Sequence, residues 1–216
     1  MKTTNNTPLP EPTLRRLPWY LAYVRMLDKQ DVEYVSSTRI AKELSVDASQ
    51  IAKDLSFLDI KGKTRIGYEV HSLATTLADF LGFTQQHSAV VIGAGSLGQA
   101  LISDVGLSQY GLNIVAGFDT DDNLVGKVID GVNIYHVDTL EKWQHENHAD
   151  IAILAVPVEY AQQVADRVVS SGINAMWNFT PVRIKTPQEI AIANTSIYAH
   201  LAIIYNRMNV ARSVID

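Results

Sequence analysis

Residues 90–100 read VVIGAGSLGQA, and no other stretch of the chain restricts its fold so tightly. Ala89–Ile92 is an unbroken apolar run, the pattern of a strand buried on both faces of a parallel sheet. Gly93, Gly95 and Gly98 follow it at G-x-G-x-x-G spacing, with an amphipathic helix predicted from about Ser96. In this context the first glycine permits a tight turn and the second lets backbone approach a pyrophosphate. The third lets helix and strand pack closely. Peptide N–H groups at the start of the helix then face the phosphate charge, so the whole turn Gly93, Ala94, Gly95, Ser96, Leu97 and Gly98 is a candidate dinucleotide site.

A second strand, IVAGFD, ends in Asp119 about 20 residues further on, where an acid would bind ribose hydroxyls, with Thr120 beside it. Asp121 and Asp122 follow, and no Lys or Arg occurs before Lys127. Three carboxylates there would repel a 2′-phosphate, so NAD(H) is expected rather than NADP(H). This second strand covers Ile114–Phe118, and further strands are predicted at Val132–His136, Ile151–Val156 and Ala175–Phe179, with a helix over Glu159–Ser170. This alternation predicts a doubly wound α/β domain. Its ligand crevice lies at the carboxyl ends of the strands, where AVP supplies Val156 and Pro157 and NFTPV supplies Asn178, Thr180 and Pro181. Pro157 and Pro181 are explained equally well as loop residues. The glycines alone are also compatible with a plain turn or with another nucleotide.

The preceding residues have a different rhythm. Residues 1–12 carry three prolines and no apolar period, so a loose arm is expected. Leu14, Leu17, Leu21, Val24 and Leu27 then recur at helical spacing, with Pro18 marking a kink or a late start. Ser36-Ser37 is a plausible N-cap for a short helix burying Ile40, Ala41 and Leu44. After the turn Ser45-Val46-Asp47, a third helix carries Ile51, Leu55 and Leu58 inward. Two short helices across a tight turn form a helix-turn-helix pattern. IKGKTRIGYEV after it reads as a β-hairpin, the wing of a winged helix. Leu73, Leu77 and Leu81 form a linker helix ending at Gly82.

Charge divides along the same line. Residues 1–80 hold 11 Lys+Arg against 10 Asp+Glu (+1), and residues 81–216 hold 7 against 13 (−6), summing to the net −5. This asymmetry permits nucleic acid at the first part and argues against it along the second. On the third helix Ser49, Gln50 and Lys53 are opposite the apolar face. Gln suits adenine and Lys suits guanine or phosphate. The wing adds Lys61, Lys63 and Arg65 for phosphate or minor-groove contacts, and Lys42 is placed for backbone contact. Taken singly, Lys42 and Lys53 are ordinary solvated charges; their clustering on this motif favours double-stranded DNA.

With no cysteine, the chain has no disulfide, thiolate metal site or Cys nucleophile. No stretch has the apolar length of a membrane span, and MKTTNNTPLPEP lacks the apolar core of a signal peptide. A soluble protein of a reducing cytoplasm is the simplest expectation. His145-Glu146-Asn147-His148 misses the H-E-x-x-H zinc spacing, so a solvated loop and no metal are expected. At the end, Ile197, Leu201, Ile204 and Met208 share one helical face that has no obvious cover at home, and a partner subunit would provide one. The expected divisions are a winged-helix domain over 1–84, a Rossmann domain over 85–194 and a dimerisation helix with tail over 195–216.

With both halves in view, LPEPTLRRLPWYL, SQIAKDLSFL, IGAGSLGQAL, FDTDDNLVGKVIDGVNIYHVDTLE, DIAILAVPVEYAQQVAD and NFTPVRIKTPQEIAI resemble the Rex family of redox-sensing repressors. KDLS followed by TRIGYEV, together with NFTPV, is specific in combination. The resemblance implies a homodimer that binds an inverted-repeat operator, is released when NADH replaces NAD⁺, and controls fermentation and respiration genes. It also implies that the last helix is exchanged between subunits. Two departures stand out. The family's basic pair before Asp-Leu is here Ala52-Lys53, and the Asp-Phe pair opening its swapped helix is here Ser196-Ile197. In the family that acid changes partners between redox states, and an arginine corresponding to Arg16 is among them. Ser196 offers no ion pair. Two other readings stay open: a nicotinamide-dependent dehydrogenase, for which the tail is too short to form a substrate domain, and a redox-insensitive DNA-binding protein with a Rossmann dimerisation module.

Overall fold

Pro10 opens the first helix, α1 (Glu11–Asp28). The structure is a computed structural model that describes residues 9–58 and 60–212. The expected loose arm thus falls outside the described residues over 1–8, and Glu11 and Pro12 are already helical. Pro12 stands in the first turn, where its missing N–H costs nothing, and the helix continues through Pro18 without the expected late start. Leu17, Tyr20, Leu21, Val24 and Leu27 are buried on it. Leu14, placed on that stripe by its spacing, is 41% exposed, and Thr13 faces inward instead.

The chain separates into two compact units, Met1–Gln85 and Gln86–Asp216. In the first, β1 (Tyr34–Val35) precedes α2 (Ser37–Leu44), which is capped by Ser36 Oγ accepting from the Arg39 N–H. Ser45 turns the chain with φ 53°, and Asp47 caps α3 (Ala48–Leu55) by accepting from the Ser49 N–H. Leu58 is buried as expected but lies beyond the end of α3. The wing is shorter than a regular hairpin. Lys63 and Gly67 form an isolated antiparallel bridge around a turn with Arg65 at its tip, and β2 (Tyr68–Glu69) pairs with β1 rather than with the preceding wing residues. Gly67 adopts φ +110°, and a Cβ there would lie 2.3 Å from the Val35 carbonyl oxygen, so only glycine lets the wing return so close to β1. Helix α4 (Val70–Phe80) ends in a Schellman motif, with the Phe83 N–H donating to Ala78 O and the Gly82 N–H to Asp79 O.

The second unit is a seven-stranded sheet. In chain order its elements are β3 (His87–Ile92), α5 (Ser96–Ile102), α6 (Val105–Gln109), β4 (Leu112–Asp119), β5 (Val128–Ile129) and β6 (Val132–His136). They continue with α7 (Leu140–Asn147), β7 (Ile151–Leu154), α8 (Ala161–Ser170), β8 (Ala175–Asn178), β9 (Ala191–Asn194) and α9 (Ile197–Arg212). The strand order is β5-β6-β4-β3-β7-β8-β9, parallel except for the β5–β6 pair. Its parallel part has the doubly wound order whose direction reverses beside β3. Alternate residues of β3 serve two cores: Val90 and Ile92 pack with Leu140, Ala161, Ala165 and Val168, whereas Ala89 and Val91 pack with Ile102, Ile134 and Ile153.

β5 and β9 were not expected from the sequence; one is two residues long and the other is largely exposed, so neither carries a buried run. His145 is not in a loop but in α7, and His148 ends that helix with φ 55°. Among the described residues no group of three or more His, Cys, Asp or Glu is placed to hold a metal ion, and no helix is long and apolar enough to cross a membrane. On α9, residues 197–209 are all exposed.

Candidate nucleotide cleft and DNA interface

The glycine turn bends where its sequence demands. Gly93 has φ +97°, and a Cβ on it would lie 2.5 Å from Ala155 O, the residue that follows neighbouring strand β7. At Gly98 a Cβ would lie 1.9 Å from Gly93 O, so helix α5 can seat against the turn only with glycine there. Gly95 is different: no protein atom lies within 4 Å of the position its Cβ would take, and the residue is exposed. Protein packing thus accounts for Gly93 and Gly98 and leaves Gly95 to an approaching ligand.

Asp119 ends β4 with its carboxylate tying three peptide groups together. Oδ2 accepts from the Ala94 N–H (2.6 Å), and Oδ1 accepts from the N–H groups of Thr120 (2.7 Å) and Asp121 (2.9 Å). It therefore splints the glycine turn to the end of β4 while remaining in the wall of a cleft. That cleft has a volume of about 1080 Å³, just above the range usual for small-molecule sites, which suits an extended two-nucleotide ligand. Gly93, Gly95, Asp119, Thr120, Asp121, Val156 and Pro157 line it, joined by Leu124, His136, Val137, Asp138, Tyr160, Val164 and Arg167. The second group was not singled out from the sequence. Their common signal was position after a strand end or along the face of α8 toward it.

Arg167 is the only Lys or Arg among the lining residues. It donates to Asp138 Oδ1 (2.7 Å) and Glu141 Oε1 (2.8 Å), and this pairing raises its pKa while holding that of Asp138 low. Among the described residues the cleft thus offers a 2′-phosphate no unpaired Lys or Arg, in line with the expectation from Asp119 and Asp121; Asp122 is exposed and is not in the lining.

The structure does not bring Asn178, Thr180 and Pro181 into this cleft. Asn178 is fully buried; its amide nitrogen donates to Val182 O and Asn194 Oδ1, and its oxygen accepts from the N–H and hydroxyl of Thr180. Both residues hold the loop after β8 in shape, with the Asn178 amide fully engaged and the Thr180 hydroxyl proton committed to it. Pro181 is exposed beside them.

In the first unit, Lys42, Ser49, Lys53, Lys61, Lys63 and Arg65 are exposed, and Arg65 holds φ 65°, a left-handed conformation that a non-glycine residue adopts at a cost. The Lys63 ammonium donates to the Tyr34 hydroxyl and lies 4.7 Å from that ring's centre. Gln50 is half-buried, and its amide nitrogen donates to Asp54 Oδ1 (2.8 Å). The exposed residues of α3 are Ser49, Ala52 and Lys53, with exposed Ser56 just past its end.

Asp54 carries no local signal in the sequence that marks it as a site. It is fully buried and receives Arg16 Nε (2.7 Å) and Nη2 (2.8 Å), Tyr20 OH (2.7 Å), Thr13 Oγ1 (3.0 Å) and Gln50. Burial pushes its pKa up, but the hydrogen bonds from Arg16, Tyr20, Gln50 and Thr13 outweigh that and hold it at about 2. Thr13, Arg16 and Tyr20 fall at i, i+3 and i+7 on α1, so a polar track beside its apolar stripe was the available clue.

Two family models match the chain: one described as "Putative DNA-binding protein N-terminus" over residues 8–56, the other as "CoA binding domain" over residues 84–182. The redox-sensing transcriptional repressor Rex of Bacteroides fragilis is 54% identical over 95% of this chain and 93% of its own length. That of Porphyromonas gingivalis is 49% identical over 96% and 98%. The chain belongs to the Rex family. Among solved structures, that of RSP in complex with β-NAD⁺ and operator DNA has a TM-score of 0.90 at 34% identity, covering 97% of this chain and 96% of that one. RSP in complex with β-NADH has a TM-score of 0.87, covering 97% and 98%.

Against the Rex pattern, the two departures now have structural surroundings. Ser196 caps α9, its hydroxyl accepting from the Ala199 N–H (3.2 Å). Arg16 is engaged bidentately by Asp54 within its own unit. Ala52 is exposed on α3 beside Lys53.

Proposed function

We propose that this chain is a redox-sensing transcriptional repressor. Residues 1–84 read an inverted-repeat operator, residues 85–194 bind NAD(H), and residues 195–216 join two copies into a homodimer. The observation that carries the reading is likeness over the whole length, both units included, to RSP bound to β-NAD⁺ and operator DNA. The glycine turn, Asp119, Thr120, Val156 and Pro157 hold the dinucleotide. Lys42, Ser49, Lys53, Lys61, Lys63 and Arg65 contact DNA. Gln50, Asn178 and Thr180 serve as supports. Exposed Ile197, Leu201, Ile204 and Met208 on α9 support dimerisation through that helix, since a helix in water gains by burying such a face.

Control works by population shift. Oxidised and reduced nicotinamide differ by one charge and by ring pucker, and the ligand moves the equilibrium between DNA-competent and released dimers only through its differential affinity for them. The role is regulatory rather than enzymatic, in a cytoplasmic setting, with fermentation and respiration genes as targets. Gel shifts on a promoter fragment retained by the protein, titrated separately with NADH and with NAD⁺, test the reading. Release by NADH at concentrations where NAD⁺ leaves the complex intact is expected; equal response to both would refute it.

One observation favours a second reading, a DNA-binding protein insensitive to redox state. Ser196 cannot form the family's ion pair, and Arg16 is bound by Asp54. Operator affinity that is identical with and without NADH would select it.

A further inference from the structure

Asp54 is the one charged residue that is buried among the described residues, and it stands on the helix that faces DNA in the reading above. Three of its partners, Thr13, Arg16 and Tyr20, come from α1, and the fourth, Gln50, lies one turn before it on α3. Every bond runs to one of two carboxylate oxygens, three to Oδ1 and two to Oδ2. A hydrophobic contact tolerates sliding and rolling of one helix on another, because it has no direction. A buried carboxylate held by donors on both sides does not, since any roll of α3 would stretch several charge-assisted bonds at once. Ile51 and Leu55, fully buried on either side of it, contribute packing but no directional bond.

We propose that Asp54 is the positioning residue of the DNA reader: clamped by Arg16, Tyr20, Thr13 and Gln50, it fixes the roll of α3 against α1 and so sets which side chains meet the base edges. The clamp selects Ser49, Ala52, Lys53 and Ser56 as the reading face. Gln50 becomes part of the support, and Arg16 acts within its own subunit. Lys61, Lys63 and Arg65 lie on the wing, outside the clamp, so attraction to phosphate is independent of it. The roll therefore governs discrimination between sequences and leaves non-specific affinity alone. This inference rests on the proposal that the first unit binds DNA.

The test uses the full-length protein and two duplexes of equal length: one selected by the wild-type protein from a random-sequence pool, the other of mixed sequence. Affinity for each is measured together with thermal unfolding and NADH binding. Tyr20→Phe removes one hydrogen bond without changing volume, and Asp54→Asn removes the charge. The ratio of selected to mixed affinity is expected to fall about threefold for Tyr20→Phe and about tenfold or more for Asp54→Asn, the loss of one and of several buried bonds. Mixed-duplex and NADH affinities stay at wild-type values, a split that general destabilisation would not give. Should Asp54→Asn fail to fold, Tyr20→Phe decides alone. A folded Tyr20→Phe protein with an unchanged ratio overturns the proposal. Failure of the wild-type protein to prefer any duplex would instead overturn the DNA-binding reading beneath it.

Discussion

The nucleotide cleft and the DNA reader are built on opposite principles. The cleft is a backbone site: Gly93 and Gly98 are dictated by carbonyl oxygens 2.5 Å and 1.9 Å from where a Cβ would stand, and Asp119 binds peptide N–H groups. The reader is a side-chain site, in which a buried carboxylate draws residues 13, 16 and 20 of one helix to residue 54 of another. Backbone sites tolerate no added atom at the turn. Side-chain sites give way gradually as single bonds are removed.

That difference yields graded expectations. Gly98→Ala forces a methyl into a backbone carbonyl; NADH binding should be abolished and the second unit destabilised by roughly 3 kcal/mol or more, read by calorimetric titration and thermal unfolding. A stable variant with wild-type affinity would break the backbone account. Gly95→Ala sharpens it, because nothing in the protein obstructs the new methyl. Unfolding should be unchanged within about 0.5 kcal/mol while NADH affinity falls about tenfold, isolating the approach of the ligand.

Within the reader, Lys53→Ala should weaken operator binding by about 1–3 kcal/mol with NADH affinity untouched; wild-type retention in a gel shift would remove Lys53 from the interface. The pH response separates the regions further. The Asp54 pKa is depressed in the folded protein, so its stabilisation is fully present above the ordinary carboxylate value near pH 4 and is lost as pH falls through about 2. Acid titration of the first unit's unfolding should lose this dependence in Asp54→Asn, and an unchanged acid profile would contradict the clamp. The smallest effect is expected at the wing tip. Arg65→Gly relieves a left-handed arginine and should leave stability equal or higher by up to about 1 kcal/mol, while the salt dependence of DNA binding falls by about one contact.

The same contrast explains what the sequence made legible. Glycine spacing, the apolar strand before it and the acid ending the next strand are local, and the helix-turn-helix is announced by its caps Ser36 and Asp47. Gln50 was read outward because helical spacing places it away from Ile51 and Leu55; only the fold reveals that Asp54 lies within its reach. Asn178 and Thr180 sit at a strand end, as binding residues do, yet Asn178 bonds Val182 and Asn194 while Thr180 donates to Asn178, so both hold the loop in shape. Arg16 and Asp54 are separated by 38 positions, and no local periodicity encodes such a pair. The cleft wall at His136, Asp138 and Arg167 depended likewise on how separate elements meet.

In the proposed function, a nucleotide in the cleft governs occupancy of DNA by the reader. Fluorescence anisotropy of a labelled operator duplex, followed while NADH is exchanged for NAD⁺ at constant total nucleotide, tests this directly. A fall in bound duplex as the NADH fraction rises, absent in Asp119→Ala, is the predicted result. Bound duplex that stays level across the whole exchange in the wild-type protein would contradict it.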